Sequence, residues 1–116
     1  ISLRLQGPSS GNGTGRVEVF FAGKWGTICG DYWDRNDAIV VCRQLGYLNA
    51  VRALSGSDVP DGSGQIWLDN VFCKGSEQNL TSCAHRRWGD HNCWHHQDAG
   101  IECSSTGKRC RSLDEK

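Results

Sequence analysis

The sequence predicts a small α+β domain stapled by disulfides, in which strands surround one main amphipathic helix and a short second helix. Three observations carry this prediction. A length of 116 residues suits one compact domain. Seven cysteines are more than such a chain usually contains, and segments with strand patterns lie on both sides of a single helical pattern. Small secreted domains use cross-links to offset a modest core, so we expect an extracellular module.

The N-terminal part is predicted to be a strand followed by a hairpin. Residues 1–5 alternate apolar and polar side chains, as a strand with one buried face does. Residues 7–15 form a glycine-rich loop. Strands are then predicted over residues 16–21 and 24–29, joined by a turn at Ala22 and Gly23. This is the clearest hairpin in the sequence.

The main helix is predicted to follow Asp34. Asp34 or Asn36 can cap its first free amides, Asp37 suits the positive end of the helix dipole, and Gly46 provides the exit. The pattern places Cys42 on the side that faces the core. Four residues at i, i+3, i+4 and i+7 form the apolar stripe: Ala38, Val41, Cys42 and Leu45.

The C-terminal part is predicted to return to strands. A short strand is expected over residues 50–54, a longer one over 65–73 and a closing one over 101–103. Ser76 can cap a short helix over residues 77–83. The composition changes after Cys103, so we expect a domain over residues 1–104 and a flexible tail or linker over 105–116. No apolar run reaches the roughly 18 residues of a membrane span, so we expect no membrane insertion.

The balanced net charge and two N-glycosylation sequons limit the classes of function that the sequence supports. Thirteen basic and thirteen acidic side chains give a formal net charge of zero, so no global field favours a nucleic-acid function. Electrostatic recognition must therefore be local. Asn12 and Asn79 each begin a glycosylation sequon, which agrees with a secretory route and an extracellular location.

Residues 88–103 hold the densest group of reactive side chains. His91, Cys93, His95 and His96 lie within six positions of one another. Taken alone, the segment could be a soft-metal site or a cysteine–histidine nucleophile pair. It could also be neither, if its cysteines form disulfides.

Six segments, in order, carry a resemblance that spans residues 1–103. They are 15–19 (GRVEV), 25–29 (WGTIC), 37–47 (DAIVVCRQLGY), 66–71 (IWLDNV), 91–93 (HNC) and 98–103 (DAGIEC). They resemble the scavenger receptor cysteine-rich domain. The resemblance implies a curved antiparallel sheet that cradles one helix and is held by disulfides.

The resemblance also implies a subgroup and a disulfide pairing. The loop near Thr14 has no cysteine and Tyr47 stands where the eight-cysteine group has one, so the chain resembles the six-cysteine group A. Spacing alone would leave 15 pairings for six cysteines. The pairs implied by the family are Cys29–Cys93, Cys42–Cys103 and Cys73–Cys83.

Disulfides at these positions would leave Cys93 no thiolate. Both the soft-metal and the nucleophile interpretations would then fail, and the histidines are expected to have structural or hydrogen-bonding roles. His95 and His96 point to opposite sides in a strand and so rarely serve one ion. No nucleophile elbow, phosphate loop or zinc-hydrolase helix is present, so we expect no enzyme activity.

The family's usual calcium site is predicted to be weak or absent in this chain. Relatives bind calcium through two aspartates after the second-strand cysteine and a later glutamate, but here these positions are Gly30, Asp31 and Gln97. Calcium prefers several charged oxygen ligands, and two of the three are missing. A second site found in some members would map to Asp69, Asn70 and Asn92, for which a hydrogen-bonded loop is the favoured interpretation. We expect no required cofactor.

The resemblance implies that the chain binds anionic microbial or modified-lipoprotein ligands through basic side chains. Because two carboxylates of the first calcium position are missing, we expect this binding to need no calcium. The candidate ligand-binding residues are Arg16, Arg52, Arg86 and Arg87, with dispersed solubilising charges as the competing interpretation. An alternative function is an accessory protein-interaction domain of a secreted protease, matrix oxidase or adhesion protein.

The tryptophans and the seventh cysteine leave two further questions. Trp25 and Trp67 lie in predicted strands and are expected in the core, whereas Trp88 and Trp94 flank the terminal loop and could stack against carbohydrate. Cys110 is the odd cysteine. It could form an interchain disulfide, pair with a cysteine elsewhere or remain a free thiol.

Overall fold

The computed structural model describes residues 1–104. The predicted tail 105–116, with Cys110, lies outside the described residues. The strands are β1 (Leu3–Gln6), β2 (Thr14–Phe21), β3 (Lys24–Ile28), β4 (Ala50–Ser55), β5 (Ile66–Leu68) and β6 (Ala99–Cys103). The helix α1 spans Arg35–Gln44, and single 3-10 turns occur at Ser10–Asn12, Gly56–Asp58, Leu80–Ser82 and His95–Gln97.

The six strands form one sheet in the order β4-β6-β2-β3-β5, with β1 paired to β2. The N-terminal end of β2 pairs with β6, and its C-terminal end pairs with β3. All pairings are antiparallel except that of β3 with β5, which is parallel. The sheet is therefore mixed, and the implied antiparallel sheet is wrong at this edge, because the long loop before β5 returns the chain in the direction of β3.

The predicted hairpin is confirmed. Phe21 and Lys24 pair across a two-residue turn in which Ala22 and Gly23 have φ angles of 51° and 79°. Positive φ at both central positions matches the right-handed twist of the flanking strands, which is why such turns close hairpins.

Helix α1 begins at a reciprocal cap. Asp34 accepts the backbone N–H of Asp37 at 3.2 Å, and Asp37 accepts the backbone N–H of Asp34 at 2.8 Å. Asp34, rather than Asn36, is the capping residue. Gly46 lies just beyond the helix with a φ of 99°, as expected for a glycine exit.

The core lies between α1 and one face of the sheet. Helix α1 packs on β4 and β6, and its predicted stripe is buried apart from the partly buried Leu45. Strand β2 contributes Val17 and Val19, and β6 contributes Ile101, all with no exposed surface. Among residues 1–104 no helix has the length and apolar character needed to cross a bilayer.

The predicted strand 65–73 is shorter in the structure. Strand β5 ends at Leu68 because Asn70 takes a left-handed φ of 52°, which no extended strand allows. Pairing resumes only as a single bridge between Phe72 and Ala84.

The predicted second helix is reduced to the 3-10 turn Leu80–Ser82. Ser76 does not cap it. Instead, the carboxylate of Glu77 accepts the backbone N–H groups of Lys74 and Gly75, which folds the chain back before a helix can start.

Candidate functional site

Disulfides occupy the six cysteines of the described chain. Cys29 is joined to Cys93, Cys42 to Cys103 and Cys73 to Cys83, the same pairs that the family resemblance implies. Cys93 therefore offers neither a thiolate nucleophile nor a soft-metal ligand in this structure.

His95 connects the loop before β5 with the residues before β6. These two segments cover the face of the sheet that points away from α1, here called the outer face. Its Nδ1 lies 3.0 Å from an oxygen of the buried Asp98, and its Nε2 lies 2.9 Å from the carbonyl oxygen of Gly64. Both neighbours accept hydrogen bonds, so the doubly protonated ring suits this position. Burial lowers the pKa of His95, but the Gly64 carbonyl and the Asp98 carboxylate outweigh burial and raise it overall. His96 is exposed and faces a different cavity.

Arg16 belongs to this same outer face. Its Nε donates to Glu18 at 3.0 Å and a terminal nitrogen donates to the Pro60 carbonyl at 2.7 Å. Arg4 donates to the other carboxylate oxygen of Glu18 at 2.9 Å. The Arg16 side chain is only 13% exposed, so these contacts argue for a structural role.

The other candidate arginines lie in separate networks. Arg52 is 67% exposed and pairs with Glu102 at 2.8 Å. Arg86 approaches the buried Asp69 at 3.4 Å and Asp90 at 3.1 Å. Arg87 is exposed and has no ion pair within residues 1–104. The structure thus does not gather the four predicted residues into one cluster.

Arg35 is a basic residue that sequence reasoning missed. It is exposed, and it donates to the carbonyl oxygen of Ala50 at 3.0 Å, two residues before Arg52 in β4. The contact depends on the packing of α1 against β4, so no local pattern in the sequence indicates it.

The residues at the first calcium position are engaged in contacts with their neighbours. The N–H of Gly30 donates to the Gln97 carbonyl at 2.7 Å, and a side chain at position 30 would meet that oxygen at 2.8 Å and the Ser55 Cβ at 2.7 Å. The side-chain oxygen of Gln97 already accepts the N–H of Trp94 at 2.9 Å. Of the three residues at this position, only Asp31 carries a carboxylate.

The carboxylate of Asp31 instead lies close to the second predicted calcium position, which comprises Asp69, Asn70 and Asn92. One carboxylate oxygen of Asp31 and one of Asp69 lie within 4.8 Å of each other, beside the Cys29–Cys93 bridge. The oxygen of the Asn92 amide lies 3.6 Å from the Cys93 sulfur. Asp69 is fully buried and accepts the N–H of the left-handed Asn70 at 2.8 Å. Oxygen ligands converge here, but the Arg86 guanidinium already brings one positive charge to Asp69.

The tryptophans expected in the core are only partly buried. Trp25 lies on the outer face of the sheet, with the Arg4 guanidinium 4.2 Å from the centre of its ring system. Trp67 packs against the edge of the core and donates its Nε1–H to the carbonyl of Lys24 at 3.1 Å. The core prediction is wrong for Trp25 because its strand position points away from α1. Trp94 is 72% exposed.

A cavity of about 700 Å³ opens between the start of β3 and the segment before His95. Lys24, Trp25 and Ile66 line one part of it, and His91 and Trp94 line another.

Elsewhere on the surface, both sequon asparagines, Asn12 and Asn79, are exposed.

Comparison with known proteins gives consistent matches. A family model described as the scavenger receptor cysteine-rich domain matches residues 7–104. Macrophage receptor MARCO of Mus musculus is 55% identical over 102 residues, which cover 88% of this chain and 18% of the relative. Lysyl oxidase homolog 2 of Gallus gallus is 46% identical over 104 residues, covering 90% of this chain and 13% of the relative. The chain therefore spans less than a fifth of these relatives.

Solved structures agree with the sequence matches. The crystal structure of the dimeric form of the SRCR domain of mouse MARCO is 56% identical and superposes with a TM-score of 0.74, covering 78% of this chain and 86% of that chain. The third SRCR domain of murine neurotrypsin is 46% identical, with a TM-score of 0.78 and coverage of 88% and 94%.

Proposed function

This chain belongs to the scavenger receptor cysteine-rich domain family, and we propose that it is an extracellular module that binds anionic microbial or modified-lipoprotein ligands through exposed basic side chains. The domains of this family are binding modules rather than catalysts. Three disulfides at the implied positions support assignment to the six-cysteine group A and to an oxidising compartment.

The observation that carries the proposal is the pair of exposed arginines at β4. Arg52 belongs to β4 and Arg35 contacts it, and the guanidinium of Arg35 is held by a carbonyl rather than a carboxylate. The ion pair of Arg52 with Glu102 is solvated, and such pairs contribute only about 0–1 kcal/mol. Sulfate or phosphate groups of a polyanion can therefore compete for each of these guanidinium groups, to which they make charge-assisted hydrogen bonds.

Binding to dextran sulfate tests this proposal. We expect the Arg35→Gln/Arg52→Gln variant to bind about tenfold more weakly, and Arg87→Gln to have a smaller effect, because charge-assisted hydrogen bonds contribute about 1.5–3 kcal/mol each before solvent screening. Lys74→Gln removes an exposed charge elsewhere and is the control. Affinity should fall as salt is raised. Equal binding by the parent and both arginine variants would refute the proposal.

We further propose that this binding requires no calcium. The first calcium position lacks carboxylates at Gly30 and Gln97, which supports this proposal. Few oxygen ligands remain there, and the side-chain oxygen of Gln97 already accepts a hydrogen bond. Dextran sulfate binding should be the same in a calcium chelator and in millimolar calcium. A loss of binding in chelator would count against the proposal.

An accessory role in a larger secreted protein is the second candidate. The 46% identity to a segment of lysyl oxidase homolog 2 supports it, as does the similarity to a neurotrypsin domain. In that case the parent polypeptide should carry a catalytic domain and this module should capture a specific protein, with no affinity for dextran sulfate.

Cys110 could join two copies, and a reductant-sensitive dimer on electrophoresis would support that linkage.

A further inference from the structure

We propose that the cavity between β3 and the 91–95 segment binds a single sugar ring that carries a negative charge, as a carboxylate or a sulfate. This site is distinct from the arginine surface, since neither Arg35 nor Arg52 nor Arg87 lines it. Its volume of about 700 Å³ falls within the range of small-ligand sites, about 300–1,000 Å³.

The apolar part of the cavity suits the carbon–hydrogen face of a pyranose. Ile66 packs with the Cys29–Cys93 bridge in a small buried cluster separate from the main core. Ile66 and Cys93 both line the cavity, which gives it an apolar base. The indoles of Trp25 and Trp94 add flat, amphipathic surfaces of the kind that ligands stack against. Trp94 is 72% exposed and makes no aromatic contact within residues 1–104, so its ring is available.

The charged part of the cavity selects an anion. Its nine lining residues include Lys24, His91 and His95 but no aspartate or glutamate. Lys24 is exposed and has no ion pair within the described chain, so its ammonium can meet an acidic group. Nδ1 of His91 accepts the N–H of Cys93 at 3.1 Å, which leaves the proton of the neutral ring on Nε2, a hydrogen-bond donor.

Acidic groups near the cavity do not cancel this preference. Asp98 lies fully buried behind His95 and accepts hydrogen bonds from that ring and from the N–H of Gly62. Asp31 approaches the Cys93 sulfur at 3.9 Å but does not line the cavity. A cationic ligand would meet Lys24 without a compensating carboxylate, whereas an anionic sugar would gain an ion pair and a stacking surface together.

Titration of the whole chain with sodium glucuronate, glucose 6-sulfate and glucose, followed by NMR, tests the site. We expect both acidic sugars to bind in the millimolar range and about threefold more tightly than glucose, since an ion pair to an exposed lysine adds only a few-fold in affinity. Lys24→Gln should bring glucuronate to the affinity of glucose. Trp94→Ala should weaken all three sugars.

Matched controls separate this site from the rest of the surface. Tyr32→Ala removes an aromatic side chain that is 68% exposed, and Lys74→Gln removes an exposed cation; neither should change sugar binding. Arg35→Gln/Arg52→Gln should weaken dextran sulfate binding and leave glucuronate binding unchanged, which distinguishes failure of the two proposals. Intact disulfides and an unchanged circular dichroism spectrum would show that Trp94→Ala folds. Equal affinity for glucuronate and glucose, no binding of either acidic sugar, or an unaffected Trp94→Ala variant would overturn the inference.

Discussion

The carboxylate of Asp37 accepts the backbone N–H of Cys73 at 2.8 Å, which ties the first turn of α1 to the third disulfide. Its second oxygen accepts the N–H of Asp34. Asp37 has no exposed surface, so one buried side chain both closes the helix cap and holds the segment that follows β5. The sequence indicated only its favourable position at the helix dipole.

Replacing Asp37 with asparagine should destabilise the domain and change its pH dependence. Asparagine has one acceptor oxygen for two N–H donors, so we expect a loss of about 1–3 kcal/mol in the free energy of unfolding near pH 4. Burial raises the pKa of Asp37 from 3.8 to about 7. A raised carboxyl pKa stabilises the fold below the unfolded-state pKa and loses that contribution as the pH rises through the folded-state pKa. The advantage of the parent over Asp37→Asn should therefore shrink between about pH 4 and pH 8.

Urea unfolding with the disulfides intact measures both effects. Asp34→Ala serves as a comparison, because it removes the helix cap without reaching Cys73 and should cost about 1 kcal/mol. A parent advantage that grows with pH would contradict the predicted direction.

His95→Gln should remove a second pH-dependent contribution. The Gly64 carbonyl and Asp98 raise the pKa of His95 against the opposing effects of burial and Arg16. The raised pKa means that the stabilisation is complete below the unfolded-state value of 6.5 and is lost as the pH rises through the higher folded-state value. We expect Tm to fall as the pH rises above 6.5 in the parent and much less in the variant. His96→Gln, an exposed neighbour, should behave like the parent, and an unchanged profile in His95→Gln would refute the role assigned to this ring.

The sequence predicted correctly those structural features that depend on contacts between residues a few positions apart. The turn at Ala22 and Gly23 appears where the sequence predicted it, and Asp34 is one of the two residues that the sequence offered as a helix cap. Both features act within a few residues. The end of β5 was missed because it depends on one left-handed residue, Asn70, whose conformation is fixed by the buried Asp69.

The geometry of the sites depended on contacts between distant segments. The grouping of Asp31 with Asp69 follows from the Cys29–Cys93 bridge, and the approach of Arg35 to β4 follows from helix packing. Motif positions alone assigned Asp31 to the neighbouring calcium position. Periodicity cannot supply such contacts, because it reports only which face of an element is buried.

Arg86→Gln should strengthen calcium binding at the position formed by Asp31 and Asp69. The guanidinium of Arg86 lies 3.4 Å from the buried Asp69 carboxylate and so competes with a cation for the same charge. Its removal leaves two converging carboxylates, to which calcium binds more readily. Calorimetric titration should give a tighter Kd for the variant than for the parent. Arg87→Gln removes a neighbouring charge without an ion pair to Asp69 and should show no gain. An equal Kd for Arg86→Gln and the parent would contradict this account.

Restoring acidic residues at the first calcium position should succeed at Gln97 and fail at Gly30. Glutamate at position 97 can still accept the N–H of Trp94, and with Asp31 it would supply a second carboxylate. We therefore expect Gln97→Glu to fold normally and to gain calcium affinity by calorimetry. Aspartate at position 30 would place its Cβ 2.7 Å from the Ser55 Cβ and 2.8 Å from the Gln97 carbonyl, a backbone atom that cannot move freely. Gly30→Asp should lose about 1–3 kcal/mol of stability from this overpacking. A stable Gly30→Asp variant would show that the backbone here gives way more easily than its contacts indicate.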